Sequence, residues 1–158
     1  MRFLVLHGPN MRMLGIREPH RYGHITLEQL NQKIETEAQH LRVELAIHQS
    51  NHEGQLLDWL EEYRTLTEGC LFNPAGYTHT SVALLDGVLG YGKPVVEVHL
   101  TEPNDREPFR RVSHVGEGCA ARFSGCGIES YLDGLRWLAA NAQESPLPPN
   151  QSGGPPTS

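Results

Sequence analysis

The chain is poor in lysine, poor in cysteine and without a long apolar run, and each shortage closes off a class of function. Only Lys33 and Lys93 occur among 158 residues. Neither lies in a segment that reads as a site, so chemistry carried by a lysine Schiff base has no bearer here. Three cysteines, Cys70, Cys119 and Cys126, are an odd number, and no histidines accompany them at zinc-like spacing. Buried structural thiols in a reducing cytoplasm are the expectation, in keeping with an amino end that has no charged-then-apolar leader. No apolar stretch approaches the length that spans a bilayer. A net charge of -6 argues against general nucleic-acid or membrane-surface binding, although Arg106, Arg110 and Arg111 form a local basic cluster.

What is present fits one globular domain of α/β type. A hydrophobic share of 38% and a charged share of 20% are ordinary for such a domain, and the length suffices for a sizeable core. Short apolar runs at Arg2 to Leu6, Arg42 to His48, Gly69 to Phe72, Pro94 to Leu100 and, more weakly, Ala120 to Phe123 predict five strands. Between them lie helical patterns: Thr26 as cap before Leu27, Leu30 and Ile34; Glu53 to Tyr63; Ser81 to Leu89; and Glu129 to Ala140. Strands alternating with helices imply a parallel sheet covered on both faces, with ligands beyond the carboxyl ends of the strands. The domain is expected over 1–142. The Pro/Gly/Ser-rich remainder, 143–158, reads as a disordered tail.

Three clusters could carry chemistry, and each has a structural alternative. The loop Arg17-Glu18-Pro19-His20-Arg21-Tyr22-Gly23 places two arginines near a phenol. A guanidinium favours the phenolate, which can act as a base; a surface loop with solvated arginines would show the same residues. In Glu97-Val98-His99 the period of a strand puts both side chains on one side. The carboxylate can then orient the imidazole for proton donation, or the pair can be a structural contact. The turn Asn73 to Ser81, with His79, offers backbone and side-chain donors to an oxygen-rich anion, or is a capped helix start. Arginines from Arg106 to Arg111 could clamp a carboxylate. His7, His20, His24, His48, His52 and His114 show no metal spacing and read as solvated or hydrogen-bonded.

Neither a phosphate loop nor a dinucleotide fingerprint is complete. Gly8-Pro9-Asn10 lacks the Gly-Lys-Ser/Thr ending, Gly125-Cys126-Gly127 lacks a third glycine, and Ser81 lacks the Gly-x-Ser-x-Gly setting of a nucleophile.

The ordered series is more specific than any member. Gly8-Pro9-Asn10, Arg17-Glu18-Pro19 with Tyr22-Gly23, Gln49 to Gly54, Asn73 to Ser81, Glu97-Val98-His99 and Arg106-Glu107-Pro108-Phe109-Arg110 together resemble the type II 3-dehydroquinate dehydratases, over residues 2 to 140. The resemblance implies a flavodoxin-like three-layer sandwich with sheet order 2-1-3-4-5, and anti elimination of water from 3-dehydroquinate through an enolate to give 3-dehydroshikimate, without cofactor or metal. It implies Tyr22 as base with Arg17 favouring its phenolate, Asn10 holding a water on the enolate oxygen, and His99 as acid oriented by Glu97. Asn73, His79, Arg110 and the backbone at Leu100 and Thr101 would bind substrate. It further implies a lid from Met11 to Gly23, and trimers assembled into a dodecamer in which Asp86 reaches a neighbour's site.

Departures from the family pattern are His7 for Asn, close to Asn10; Leu85 for an Arg; Gly116 for Ser; Ala121 for Gly; and Ser130 for Gly. They leave two competitors in view: a non-catalytic paralogue that binds a quinate-like metabolite, and an FMN-binding flavodoxin-like protein.

Overall fold

The computed structural model describes residues 1–143; the tail expected over 143–158 lies, apart from Gln143, outside the described residues. Five strands form one parallel sheet of order β2-β1-β3-β4-β5. They are β1 (Arg2–His7), β2 (Glu44–Gln49), β3 (Gly69–Asn73), β4 (Val95–His99) and β5 (Ala121–Ser124). Each lies within two residues of the apolar run that foretold it, because strands buried on both faces announce themselves as continuous hydrophobic stretches.

The side chains of each strand alternate between two cores. Phe3 and Val5 of β1 join Leu71, Val96 and Val98 under α2 (Leu27–Leu41) and α5 (Ile128–Asn141). Leu4 and Leu6 join Cys70, Phe72 and Val95 under α3 (Glu53–Tyr63) and α4 (Val82–Tyr91). These are the three layers of the expected sandwich. Thr26 caps α2 in a reciprocal box with Gln29, and the Ser81 hydroxyl accepts the Leu84 N–H at the start of α4. Helix α5 lies close on the sheet because residue 134 is glycine. A Cβ there would stand 2.7 Å from Leu71 Cδ1 and 2.9 Å from Val98 Cγ1.

One segment is more ordered than a loop reading suggests. Between β1 and α2 the chain forms a 3-10 turn at Met11–Met13 and a short helix, α1 (Pro19–Tyr22). Pro19 at the first helical position supplies the preset φ that a helix start needs.

In this topology the strand order reverses between β1 and β3, so a crevice opens above their carboxyl ends. His7 and Asn73 are register partners there, and the turns beyond them touch: Gly8 N–H donates to the Asn73 carbonyl at 2.8 Å. No helix among the described residues is long and apolar enough to cross a membrane.

Candidate active site

A cavity of about 260 Å³ occupies that crevice. Nine of the residues to which the resemblance gives a role line it, Asn10, Arg17, Tyr22, Asn73, His79, His99, Leu100, Thr101 and Arg110, and so does Arg106 of the basic cluster. Glu97 stands directly behind them. Asp86 does not line it, being exposed on α4.

The floor comes from strand ends. His99 terminates β4, and its Nε2 lies 2.6 Å from Glu97 Oε1. Glu97 is fully buried, and burial alone would raise its carboxyl. Hydrogen bonds from His99, Thr78 and Ser113 outweigh that and hold it at about 2. Thr78 Oγ1 donates to Oε1 at 2.5 Å, while Ser113 Oγ reaches Oε1 at 2.9 Å and Oε2 at 3.1 Å. An ionised carboxylate only accepts, so His99 Nε2 carries its hydrogen and Nδ1 is left as the nitrogen that can exchange a proton. Gly116 leaves the room for this arrangement, since a Cβ there would come within 2.5 Å of Glu97 Oε2.

The wall is polar and its orientation is fixed. His79 Nδ1 donates to the Val112 carbonyl at 2.7 Å, which leaves Nε2 as an acceptor. Burial is the main reason its pKa is lowered, so the neutral ring is favoured. Asn10 sits at φ 67, a left-handed conformation that asparagine tolerates better than most residues. Its backbone N–H donates to Asn51 Oδ1 at 3.0 Å. Gln49 Nε2 donates to that same Oδ1 and to the Gly8 carbonyl, both at 3.1 Å. The Gln49-Ser50-Asn51 motif at the end of β2 thus clamps the turn that presents Asn10.

The roof is the segment from Met11 to Gly23. Arg17 Cζ lies 5.6 Å from the Tyr22 ring centroid and Arg106 Cζ 5.9 Å. The guanidinium that meets the phenol oxygen is that of Arg106, whose Nη1 donates to it at 2.8 Å. Arg106 Nε is buried and has no hydrogen-bond partner among the described residues, Glu107 Oε2 being 3.8 Å away. Arg110 Nε donates to Glu107 Oε2 at 2.9 Å. Three guanidiniums on one small cavity make it a receptor for an anion with acid and base groups at hand.

Sequence reasoning placed Arg106 in a possible carboxylate clamp and gave Tyr22 to Arg17; the Arg106–Tyr22 contact joins residues 84 apart. His7, three positions before Asn10, is fully buried and turns toward Asn31 and Tyr131. Ser113 carried no signal in sequence beyond its place after the arginine cluster.

The model for dehydroquinase class II matches residues 1–139. The chain belongs to the class II dehydroquinase family. Among its dehydroquinase relatives, the 3-dehydroquinate dehydratase of Dictyoglomus turgidum is 44% identical over 132 residues, 84% of this chain and 91% of that protein. The enzyme of the same name from Phenylobacterium zucineum is 48% identical over 127 residues, 80% and 88% of the two chains. The crystal structure of type II dehydroquinase from Butyrivibrio crossotus superposes with a TM-score of 0.86 at 35% identity, covering 87% of this chain and 97% of that one. The cavity described above is therefore the candidate active site of a class II dehydroquinase.

Proposed function

We propose that this protein is a 3-dehydroquinate dehydratase that removes water by anti elimination through an enolate, giving 3-dehydroshikimate, in a single catalytic domain over 1–142. The observation that carries the assignment of roles is that Tyr22 from the roof and His99 from the floor line one cavity with Arg17, Arg106 and Arg110. Tyr22 takes the proton beside the ketone, its oxygen held by Arg106 and its ring flanked by Arg17. Asn10 holds a water on the enolate oxygen, where a pre-positioned donor stabilises developing charge. His99, oriented and charge-balanced by Glu97, gives its proton to the departing hydroxyl. Asn73, His79, Arg110 and the backbone at Leu100 and Thr101, all lining the cavity, bind the substrate's carboxylate and hydroxyls. The same elimination serves aromatic biosynthesis and quinate breakdown.

Assembly into trimers and then a dodecamer is part of the proposal. It is supported by α4, where Val82 is 57% and Leu89 60% exposed on the helix that carries Asp86. A subunit contact would cover these side chains, and Asp86 then faces a neighbour's site. A reducing cytoplasmic setting is supported by three cysteines that are all free.

The test is ultraviolet detection of the conjugated enone after purified protein meets 3-dehydroquinate. Folded protein that forms no 3-dehydroshikimate refutes the assignment, and tight calorimetric binding without product would mark a non-catalytic binder instead.

A further inference from the structure

Asn73 lines the cavity, yet its amide is set from behind. Its Oδ1 accepts the Ala75 N–H at 2.9 Å, which turns Nδ2 the other way, to donate to the Tyr131 hydroxyl at 2.9 Å. A hydroxyl that accepts has one hydrogen still to place. Burial raises the Tyr131 phenol and keeps that hydrogen on it, and the acceptor in reach is His7 Nδ1, at 3.1 Å. The other ring nitrogen, Nε2, lies 2.7 Å from Asn31 Oδ1. A side-chain carbonyl only accepts, so Nε2 carries the hydrogen and Nδ1 is bare. Burial holds His7 down at about 4, against the opposing pull of Asn31, so the ring is neutral at pH 7. From Asn73 to Asn31 each donor meets an acceptor and all donate in one direction, away from the cavity.

We propose that His7 is a positioning residue for substrate: its Nε2–H tautomer, braced by Asn31 on α2, fixes the Tyr131 hydroxyl and through it the Asn73 amide, whose second N–H is presented to a substrate oxygen. In the free protein the further contact of Asn73 Nδ2 is the Met11 sulfur at 3.6 Å, a weak acceptor that an oxygen readily replaces. The link between His7 and substrate rests on the dehydratase assignment of this cavity; the tautomer does not.

Two measurements test it on the full chain. In the first, Michaelis constants for 3-dehydroquinate are compared across variants. His7→Phe keeps the ring but leaves the Tyr131 hydroxyl without its acceptor. It should raise KM about tenfold with kcat changed less than about threefold, the size expected for a misdirected hydrogen bond. Tyr131→Phe removes the middle link and should do the same. The double variant His7→Phe with Asn73→Ala should be no worse than Asn73→Ala alone, because both act through one contact. His7→Gln, whose amide oxygen and nitrogen can stand in for the two ring nitrogens, should return KM to within about threefold of the parent. An unchanged KM in both phenylalanine variants, or effects that multiply in the double variant, overturns the proposal.

The second measurement needs no turnover and no variant. Nitrogen-15 NMR of the His7 ring in ligand-free protein at pH 7 should show a protonated Nε2 and a bare Nδ1. The opposite tautomer, or a doubly protonated ring, overturns the proposal even if the enzyme is active. A parent protein with the expected tautomer but no product leaves the hydrogen-bond chain standing and removes the dehydratase assignment.

Discussion

A phenol between two guanidiniums is a different chemical object from a phenol in water, and Tyr22 is of the first kind, with Arg106 on its oxygen and Arg17 against its ring. If that oxygen is the base, Tyr22→Phe removes it and little else, since the side chain is only half-buried. Turnover should fall by about 10²–10⁴, the usual worth of a positioned acid or base, while the melting curve barely moves. His99→Ala should show a fall of the same order. A Tyr22→Phe enzyme with more than about a tenth of parental kcat would remove Tyr22 from the role. The residues of this pair were legible because their partners lie close in sequence: Arg17 five positions from Tyr22, Glu97 two from His99. Arg106 was not, because nothing local ties it to a loop 84 residues away. His7 was missed for a related reason. A histidine ending an apolar strand looks the same whether it meets water or a buried Tyr131.

The burial of His7 has a thermodynamic signature of its own. Its pKa falls from 6.5 to about 4 on folding, so between those values the unfolded chain binds more protons than the folded one. Stability is therefore fully present above pH 6.5 and is lost as pH falls through about 4. The increment is of order 3 kcal/mol. Denaturant titrations from pH 7.5 to 4 should show this slope in the parent and a flatter one in His7→Gln. Equal slopes would mean that the ring is not held neutral.

At the scale of elements, the strands and long helices were readable because hydrophobic period and capping residues act locally: α3 begins and ends at Glu53 and Tyr63 in both descriptions. The 3-10 turns and α1 were not foretold, since segments of three to five residues leave no period to detect and are shaped by what they touch. Their placement depends on tight contacts between turns, among them the one at Gly8. A Cβ at residue 8 would lie 2.6 Å from the Pro74 carbonyl oxygen and 2.9 Å from that of Asn73. Both are backbone atoms that cannot swing aside. Gly8→Ala should therefore push the β1 and β3 turns apart, costing about 1–3 kcal/mol and lowering turnover as Asn10 and Asn73 separate. A shift in the denaturation midpoint without loss of activity would show that the two turns need not touch for catalysis.

For the whole molecule, the cavity is lined by every group proposed to touch substrate except one. Asp86 is exposed on α4 and does not line its own subunit's cavity, so a role for it requires a second copy arranged head to tail around a ring. Asp86→Ala should then lower turnover although the groups lining each subunit's own cavity are intact. Tyr22→Phe should lower turnover by the factor of about 10²–10⁴ argued above. If subunits of the two variants are mixed in equal amounts, dissociated and reassembled, some sites join a variant subunit that still has Tyr22 to a neighbour that still has Asp86. With random mixing, half the subunits carry Tyr22 and half of their donors carry Asp86, so about one quarter of the parental activity should return. Light scattering on the same samples establishes that mixed particles formed. Recovery in monomeric protein, or none in well-mixed trimers, would place Asp86 outside the chemistry and leave the apolar face of α4 as a contact that only holds subunits together.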